Sequence, residues 1–222
     1  MKIVAVVVAR KGSQRIPSKS MSLIGGQSLI ARKVSQLKQV PLIDEVVVGS
    51  NSAEMLAEGE KFGATPIVRE EYFCDEARAS ANDMLWDMAR HVEADIIVWA
   101  HCTNPFISTG TYSSAINTYL SKQDEYDSLL SVVALQEHLW GPNFCPLNYN
   151  PWAKRHQPAR ELPKYYMQDG AIFIQPRDQM LKNRYFFGSR PYLFEIPREE
   201  FCDINDAYDL QIARAIEATR NK

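Results

Sequence analysis

The chain has 222 residues, of which 45% are apolar and 23% are charged, and its formal net charge is -2 with a pI near 6.1. This composition is typical of a globular protein with one sizeable core, and the balanced charge excludes a global attraction to nucleic acid or to an anionic membrane. No apolar run approaches membrane-spanning length and the four cysteines are widely separated, so we expect a cytoplasmic protein without a disulfide scaffold.

The first predicted element is a buried strand, Ile3 to Val8, which leads into a loop with four cationic side chains, Arg10, Lys11, Arg15 and Lys19. Gly12 lets the backbone approach phosphate oxygens closely, and arginine can grip phosphate at two points. The spacing matches neither a Walker loop nor a dinucleotide-binding glycine motif. The loop therefore predicts a polyanion site, most simply for a nucleoside triphosphate, with a solvated basic loop as the alternative.

The next elements alternate between helix and strand. Apolar spacing and turn residues predict a helix at 27–40, a strand at 45–49, a helix capped by Asn51 or Ser52 that ends near 62, a strand at 67–68, a helix at 80–91 and a strand at 95–100. On the first helix we expect Leu29 and Val34 to face inward and Lys33 to lie elsewhere.

This alternation predicts an α/β fold, with a mostly parallel, doubly wound sheet covered by helices on both faces. Ligands in such sheets bind beyond the carboxyl ends of the strands. The loop from Arg10 to Lys19 falls at such an end, as do Ser50, Arg69 and His101.

The chain changes character after a strand at 128–135. A proline-rich stretch with little periodicity follows, and we expect an inserted arm at about 136–168 that packs on a second copy of the chain through Leu139, Trp140 and Trp152. A flap folded onto its own domain is the alternative. Strands at 170–175 and 192–196 and a helix at 205–219 then complete a single domain, 1–222.

Motifs in these elements occur in a recognisable order. The chain contains Ala9-Arg10-x-Gly12-Ser13-x-Arg15-Ile16-Pro17-x-Lys19, Gly26-x-Ser28-Leu29-Ile30, Ser50-Asn51, Thr103-Asn104-Pro105-Phe106, Leu162-Pro163, Asp169-Gly170-Ala171-Ile172-Phe173-Ile174, Phe186-Phe187 and Asp203-Ile204-Asn205. Over nearly the whole chain, these motifs resemble the acylneuraminate cytidylyltransferase family, whose members activate sialic acid and related nonulosonic acids as CMP-sugars.

The resemblance implies a Rossmann-like nucleotidyltransferase. In its reaction, the anomeric hydroxyl of a 2-keto sugar acid attacks the α-phosphorus of CTP and pyrophosphate is released. Arg10 and Lys19 would stabilise the developing charge as catalytic residues. The implied nucleotide contacts are Arg10, Lys11, Gly12, Ser13, Arg15, Lys19, Arg69 and Ser80.

The resemblance also implies a sugar site and a metal site. The implied sugar contacts are His101, Asn104, Arg160 (or Arg155 in its place), Phe173, Phe186 and Phe187. Mg²⁺ or Mn²⁺ is expected at Asp203 and Asn205, although Asn205 stands where the family has a second aspartate and Asp206 or Asp209 could compensate. His101, Phe173 and Ser20 differ from the family pattern, which favours a sugar other than N-acetylneuraminic acid.

Two alternatives remain at this stage. The same scaffold could transfer a nucleotide to an octulosonate, a phosphosugar or a phosphonate. A non-catalytic nucleotide-binding protein with a weakened metal site is the other. The expected partners are CTP and a sugar acid, in a homodimer formed through the arm, without nucleic acid or membrane.

Overall fold

The computed structural model describes residues 1–220, in which helices flank a seven-stranded sheet. The strands, which include a separate two-stranded hairpin, are β1 Ile3–Val8, β2 Leu23–Ile24, β3 Gln27–Ser28, β4 Glu45–Ser50, β5 Thr65–Val68, β6 Ile96–Ala100, β7 Ser128–Leu135, β8 Tyr165–Pro176 and β9 Pro191–Glu195. The α-helices are α1 Leu29–Lys38, α2 Ala53–Lys61, α3 Glu71–Cys74, α4 Ala81–Arg90, α5 Thr109–Lys122, α6 Arg177–Asn183 and α7 Ala207–Arg220.

The seven strands lie in the order β5-β4-β1-β6-β8-β7-β9, and β2 pairs with β3 in the hairpin. The pairs β5–β4, β4–β1, β1–β6 and β7–β9 are parallel, whereas β8 runs antiparallel to both β6 and β7. The predicted mostly parallel α/β sheet is therefore confirmed, with one strand reversed.

Both faces of the sheet are buried. In β1, Ile3 and Val7 belong to one hydrophobic cluster, while Val4 and Val6 belong to a second cluster. Successive side chains of a strand point to opposite faces, so an uninterrupted apolar run is what a strand covered on both sides requires.

Serine caps fix the starts of four helices. Ser28, Ser52, Ser80 and Ser108 each accept a hydrogen bond from a backbone N–H three residues later. Such a cap satisfies a donor that the first helical turn leaves free. Ser52, one of the two predicted caps of α2, is thus the cap, and Ser80 precedes α4.

Several boundaries differ from the sequence predictions. The helix expected from residue 27 begins at Leu29, because Gln27–Ser28 pairs in the hairpin. Helix α5 had no sequence prediction, since its serine, threonine and glycine content disfavours a helix on local propensity. Tertiary packing outweighs that preference, and Ala115 and Ile116 are fully buried.

The segment between β7 and β8 forms the irregular surface region that we call the arm, 136–164. It contains one short 3₁₀ turn, Ala159–Glu161, and an isolated bridge between Trp140 and Pro146. Trp140 is 55% exposed and Trp152 is 81% exposed. In the single chain these two aromatic side chains therefore face solvent.

Candidate active site

A cavity of ≈ 530 Å³ opens at the carboxyl ends of β1, β5 and β6, which we call the basic cavity. Seven of the implied nucleotide and sugar contacts line it, namely Arg10, Ser13, Arg15, Lys19, Arg69, Ser80 and His101. The sheet thus brings side chains from distant parts of the chain to one edge, as the topology of a doubly wound fold predicts.

The opening loop has a fixed backbone course. Gly12 has φ of 87°, a left-handed conformation that L side chains rarely adopt. Next to it, the Lys11 N–H donates to Oδ1 of Asn51 over 2.9 Å. Lys11 and Gly12 therefore shape the loop, and neither residue lines the cavity.

Lys19 lies at the inner end of this loop. Its Nζ donates to the carbonyl oxygens of Ile204 at 2.9 Å and Asn205 at 3.2 Å. Partial burial, reinforced by the charge of Arg15, lowers the pKa of Lys19, while Asp203 opposes that change. An ammonium has three donors, so one remains for a bound anion.

Two arginines face the basic cavity from different supports. Arg10 donates to the Cys74 carbonyl at 3.3 Å and forms an ion pair with the exposed carboxylate of Glu76. Arg69 donates to the Phe73 carbonyl at 2.7 Å, and its Nε lies 3.6 Å from Oδ2 of Asp87.

Asp87 is a residue that the sequence analysis missed. Its side chain is 1% exposed, and that of Arg69 is 2% exposed. The same carboxylate accepts hydrogen bonds from Arg90 at 2.8 and 3.2 Å. Asp87 therefore holds Arg69 from the side away from the cavity, and its position on the buried face of α4 was the signal available in the sequence.

Ser80 has a structural role in addition to its place in the cavity wall. Its Oγ accepts from the Asp83 N–H and donates to the Asp83 carboxylate, which also accepts the Ser80 N–H. This reciprocal arrangement is a capping box. The hydroxyl is therefore already engaged in starting α4.

His101 is the sugar candidate that lines the basic cavity. Its Nε2 accepts a hydrogen bond from Trp99 Nε1 at 3.1 Å, so Nδ1 carries the proton and donates to the Gly170 carbonyl at 2.6 Å. Burial lowers the pKa of His101. The neutral ring thus ties the end of β6 to β8.

The other sugar candidates lie outside the basic cavity. Phe173 is buried in the core, with the ring centroids of Phe186 and Phe187 at 4.6 and 6.3 Å. Arg160 is exposed on the arm, and Arg155 pairs there with Glu161. In the single chain, these aromatic side chains pack on one another.

A second cavity of ≈ 510 Å³, the acidic cavity, is lined by Asp169, Asp203 and Asn205 among others. Nδ2 of Asn205 donates to Oδ2 of Asp203 at 2.7 Å. Asp209 accepts the backbone N–H groups of Asn205 and Asp206 ahead of α7, which is the structural role of a helix-start carboxylate. Lys19 connects the two cavities through its bonds to residues 204 and 205.

The acidic cavity fits a hard divalent cation. Asp169 is 4% exposed and its Oδ2 has no hydrogen-bond partner in the described part of the chain, although burial and the nearby Asp203 charge both raise the pKa of its carboxyl group. Mg²⁺ is commonly held by one or two carboxylates together with substrate phosphates. Within residues 1–220 no group of three His, Cys, Asp or Glu side chains is arranged around one point, so phosphate oxygens would have to complete the coordination.

Lys33 was wrongly expected to lie off the buried face of α1. It is fully buried, and its Nζ donates to the Asn104 carbonyl at 2.8 Å and to the Tyr112 hydroxyl at 2.7 Å. Burial lowers the pKa of Lys33 to about 7. Its spacing of four residues from both Leu29 and Leu37 was the signal for burial. Lys33 thus anchors the turn after β6 to helix α1.

Comparison with known proteins extends over almost the whole chain. A model of the family described as "Cytidylyltransferase" matches residues 4–220. A pseudaminic acid cytidylyltransferase of Campylobacter jejuni is 24% identical over 225 residues, covering 97% of this chain and 96% of the relative. An N-acylneuraminate cytidylyltransferase of Escherichia coli is 23% identical over 230 residues, covering 100% of this chain and 53% of that protein.

Solved structures share the fold. A CMP:2-keto-3-deoxy-manno-octonic acid synthetase complexed with CTP has a TM-score of 0.71 at 19% identity, covering 99% of this chain and 100% of that one. A 4-diphosphocytidyl-2C-methyl-D-erythritol synthase from Anaerococcus prevotii has a TM-score of 0.67 at 10% identity, covering 96% and 97%. No helix within residues 1–220 is long and apolar enough to cross a membrane.

Proposed function

The chain belongs to the cytidylyltransferase family, and from that premise we propose that it transfers CMP from CTP to the anomeric hydroxyl of a sialic-acid-like 2-keto-3-deoxy sugar acid. The enzyme class, a CTP-dependent nucleotidyltransferase, follows from the family. The acceptor is proposed from relatives that are named for pseudaminic acid and for N-acylneuraminate.

One observation carries the nucleotide half of this proposal. Arg10, Arg15, Lys19 and Arg69 converge on one cavity, although they come from two separate loops. The carboxylates of Glu76 and Asp87 neutralise this group of four cations only in part, so it keeps a net positive charge that a triphosphate would balance. The basic cavity is therefore assigned to the CTP phosphates.

In this reaction the acceptor hydroxyl releases its proton to solvent and its oxygen bonds to the α-phosphorus. The bond between that phosphorus and the bridging oxygen breaks, and pyrophosphate leaves with the electron pair. Lys19 would hold the phosphate oxygens through its remaining N–H, and Arg10 would exchange Glu76 for phosphate. Such fixed cations stabilise charge that develops on the leaving group. Arg69, held by Asp87, would orient the nucleotide from the opposite wall.

A magnesium ion is part of the proposal, held by Asp203 and the phosphate oxygens on the acidic side of Lys19. When bound there, it would neutralise phosphate charge and polarise the phosphoryl group. The residues of this chain supply its ligands and keep the Lys19 ammonium close by.

The acceptor would enter beside His101, where the basic cavity meets the turn after β6. His101 would shape this wall, because both of its ring nitrogens already have protein partners. Asn104, Phe186 and Phe187 would support that wall from behind. Arg160 is exposed on the arm and does not line the basic cavity.

The exposed tryptophans of the arm support a homodimer as part of the proposal. Trp140 and Trp152 present large apolar surfaces to solvent, and such surfaces usually mark interfaces. Sedimentation of wild type against the Trp140→Ser/Trp152→Ser variant tests this directly. A dimeric wild type and a monomeric variant are expected, and equal masses would contradict an interface through the arm.

A pyrophosphate-release screen tests the function. All four nucleoside triphosphates are combined with Mg²⁺ and with neuraminic, legionaminic, pseudaminic and octulosonic acids. We expect release with CTP and a nine-carbon acid. Release with octulosonic acid alone would favour the first alternative, and no release with any acceptor, despite CTP binding, would favour a non-catalytic protein.

A further inference from the structure

The Asp169 carboxylate is unusual because one of its oxygens is satisfied and the other is not. Oδ1 accepts from the Ser131 hydroxyl at 2.5 Å and from the Ala171 N–H at 3.3 Å, while the buried Oδ2 has no hydrogen-bond partner among residues 1–220. An unsatisfied buried acceptor on a carboxylate is strongly unfavourable, so such a group calls for a ligand. Lys33, whose charge reaches Asp169, donates instead to Asn104 and Tyr112.

The backbone places Asp169 in this position through a bulge. In the pairing of β7 with β8, Ser131 alone stands opposite residues 169–172, and Gly170 has φ of 73°. Bulges beside functional sites redirect side chains out of the regular alternation of a strand. The bulge therefore brings Asp169 into the wall of the acidic cavity, which Asp203 also lines.

Asp203 lines the same cavity from the segment between β9 and α7. The segment is fixed by the Ile204 N–H, which donates to the Thr103 carbonyl at 3.0 Å, and by the Lys19 ammonium. Its neighbour Asn205 turns its amide nitrogen toward Asp203, so the amide acts as a donor to that carboxylate. Asp169 and Asp203 line the same cavity, together with the cation Arg198. Asn205 turns its amide nitrogen, and not its oxygen, toward Asp203.

We propose that Asp169 and Asp203 together form the divalent-cation site, with the Asp169 carboxylate supplying the charge that Asn205 lacks. The Ser131 hydroxyl and the Ala171 N–H hold Oδ1, which leaves Oδ2 for the metal, and this is how outer partners usually orient a ligating carboxylate. Asn205 then positions Asp203. This inference rests on the proposed function, because the nucleotide phosphates would complete the coordination.

The test is a Mn²⁺ titration of the full chain with saturating CTP and no acceptor, read by electron paramagnetic resonance and by water-proton relaxation. Asp169→Asn should weaken Mn²⁺ binding by about tenfold or more. Adding Asn205→Asp to that variant should restore the binding, because it returns a second carboxylate to the cavity. Asp178→Asn removes an equal charge from exposed α6 and should leave the affinity unchanged.

An unchanged affinity in Asp169→Asn, or a loss that the double variant does not reverse, overturns the proposal. If Asp169→Asn does not fold, Asn205→Asp alone serves as the measure: a third carboxylate should tighten Mn²⁺ binding, and no change counts against the site. The titration needs no turnover. A failed acceptor screen with a positive titration would therefore reject only the proposed function, and pyrophosphate release with a negative titration would reject only this inference.

Discussion

The basic and acidic cavities lie on either side of Lys19 and are built in opposite ways. The basic cavity collects cations from loops that directly follow strands β1 and β5. Its residues are therefore either close to one another in sequence or placed at the carboxyl end of a strand, where ligands of such sheets bind. The acidic cavity joins Asp169, which a bulge redirects, to Asp203, which lies more than thirty residues further along the chain. The charged residues of the basic cavity are therefore set by local sequence, whereas those of the acidic cavity are brought together by tertiary structure.

Lys19 links the two cavities, so its removal should produce the largest effect. Lys19→Ala should lower kcat/KM by about 10²- to 10³-fold, because a fixed donor at developing charge is lost. Steady-state pyrophosphate release measures this. Arg78→Ala removes a cation from the neighbouring exposed loop outside the cavity and is the matched control, with a change below about threefold expected from surface charge alone. Near-normal kcat/KM in Lys19→Ala would break the assignment of the basic cavity.

The support behind the basic cavity is tested by Asp87→Asn. The change leaves the buried Arg69 without its carboxylate and removes the nearer of the two carboxylates beside Arg90, so we expect about 3 kcal/mol less unfolding free energy and a severalfold higher KM for CTP. Urea denaturation and initial rates measure the two effects. Glu70→Gln, which removes an exposed carboxylate 3.7 Å from Arg90, is the control and should change neither quantity measurably. Equal effects of the two variants would contradict a positioning role for Asp87.

The backbone of the opening loop is tested by a pair of glycines. Gly12 and Gly26 have φ of 87° and 81°, and an added Cβ at either meets nothing within 4 Å. Each change to alanine should therefore destabilise the protein by about 1 kcal/mol through backbone conformation alone. Only Gly12→Ala should also raise the KM for CTP, because Gly26 turns the β2–β3 hairpin. An equal KM in the two variants would show that the loop conformation does not matter for binding.

These pairs also show what the sequence could predict. Strands β1 and β7 were predicted with the correct ends, because each is an apolar run bounded by charged or turn residues. The cations of the basic cavity followed from one loop and from the rule that ligands bind at carboxyl ends of strands. Such features depend on neighbours in the chain, which is why the pattern of residues reveals them.

Other features depended mainly on packing between distant segments, for which the sequence carried only a weak local signal. The burial of Lys33, the ion pair behind Arg69 and the bulge at Asp169 each arise from contacts between distant segments. Helix α5 was missed for the same reason, since its burial outweighs a weak local preference. The predicted aromatic sugar contacts are the reverse case. Their motif was visible, but Phe173 lies in the core beneath Phe186.

His101 lines the basic cavity, and its substitution should have the smallest effect of the changes considered. Burial keeps its pKa below the usual 6.5, so the unfolded chain binds a proton near that pH while the folded chain does not. Stability should therefore fall as pH drops below 6.5 toward the folded pKa, and His101→Gln should flatten this dependence. Urea denaturation between pH 5 and pH 7.5 measures the slope, with His156→Gln on the exposed arm as the control. An unaltered slope in His101→Gln would mean that the ring binds protons equally in the folded and unfolded protein. Below pH 6.5 its Nε2 would then be protonated and could no longer accept the Trp99 hydrogen bond.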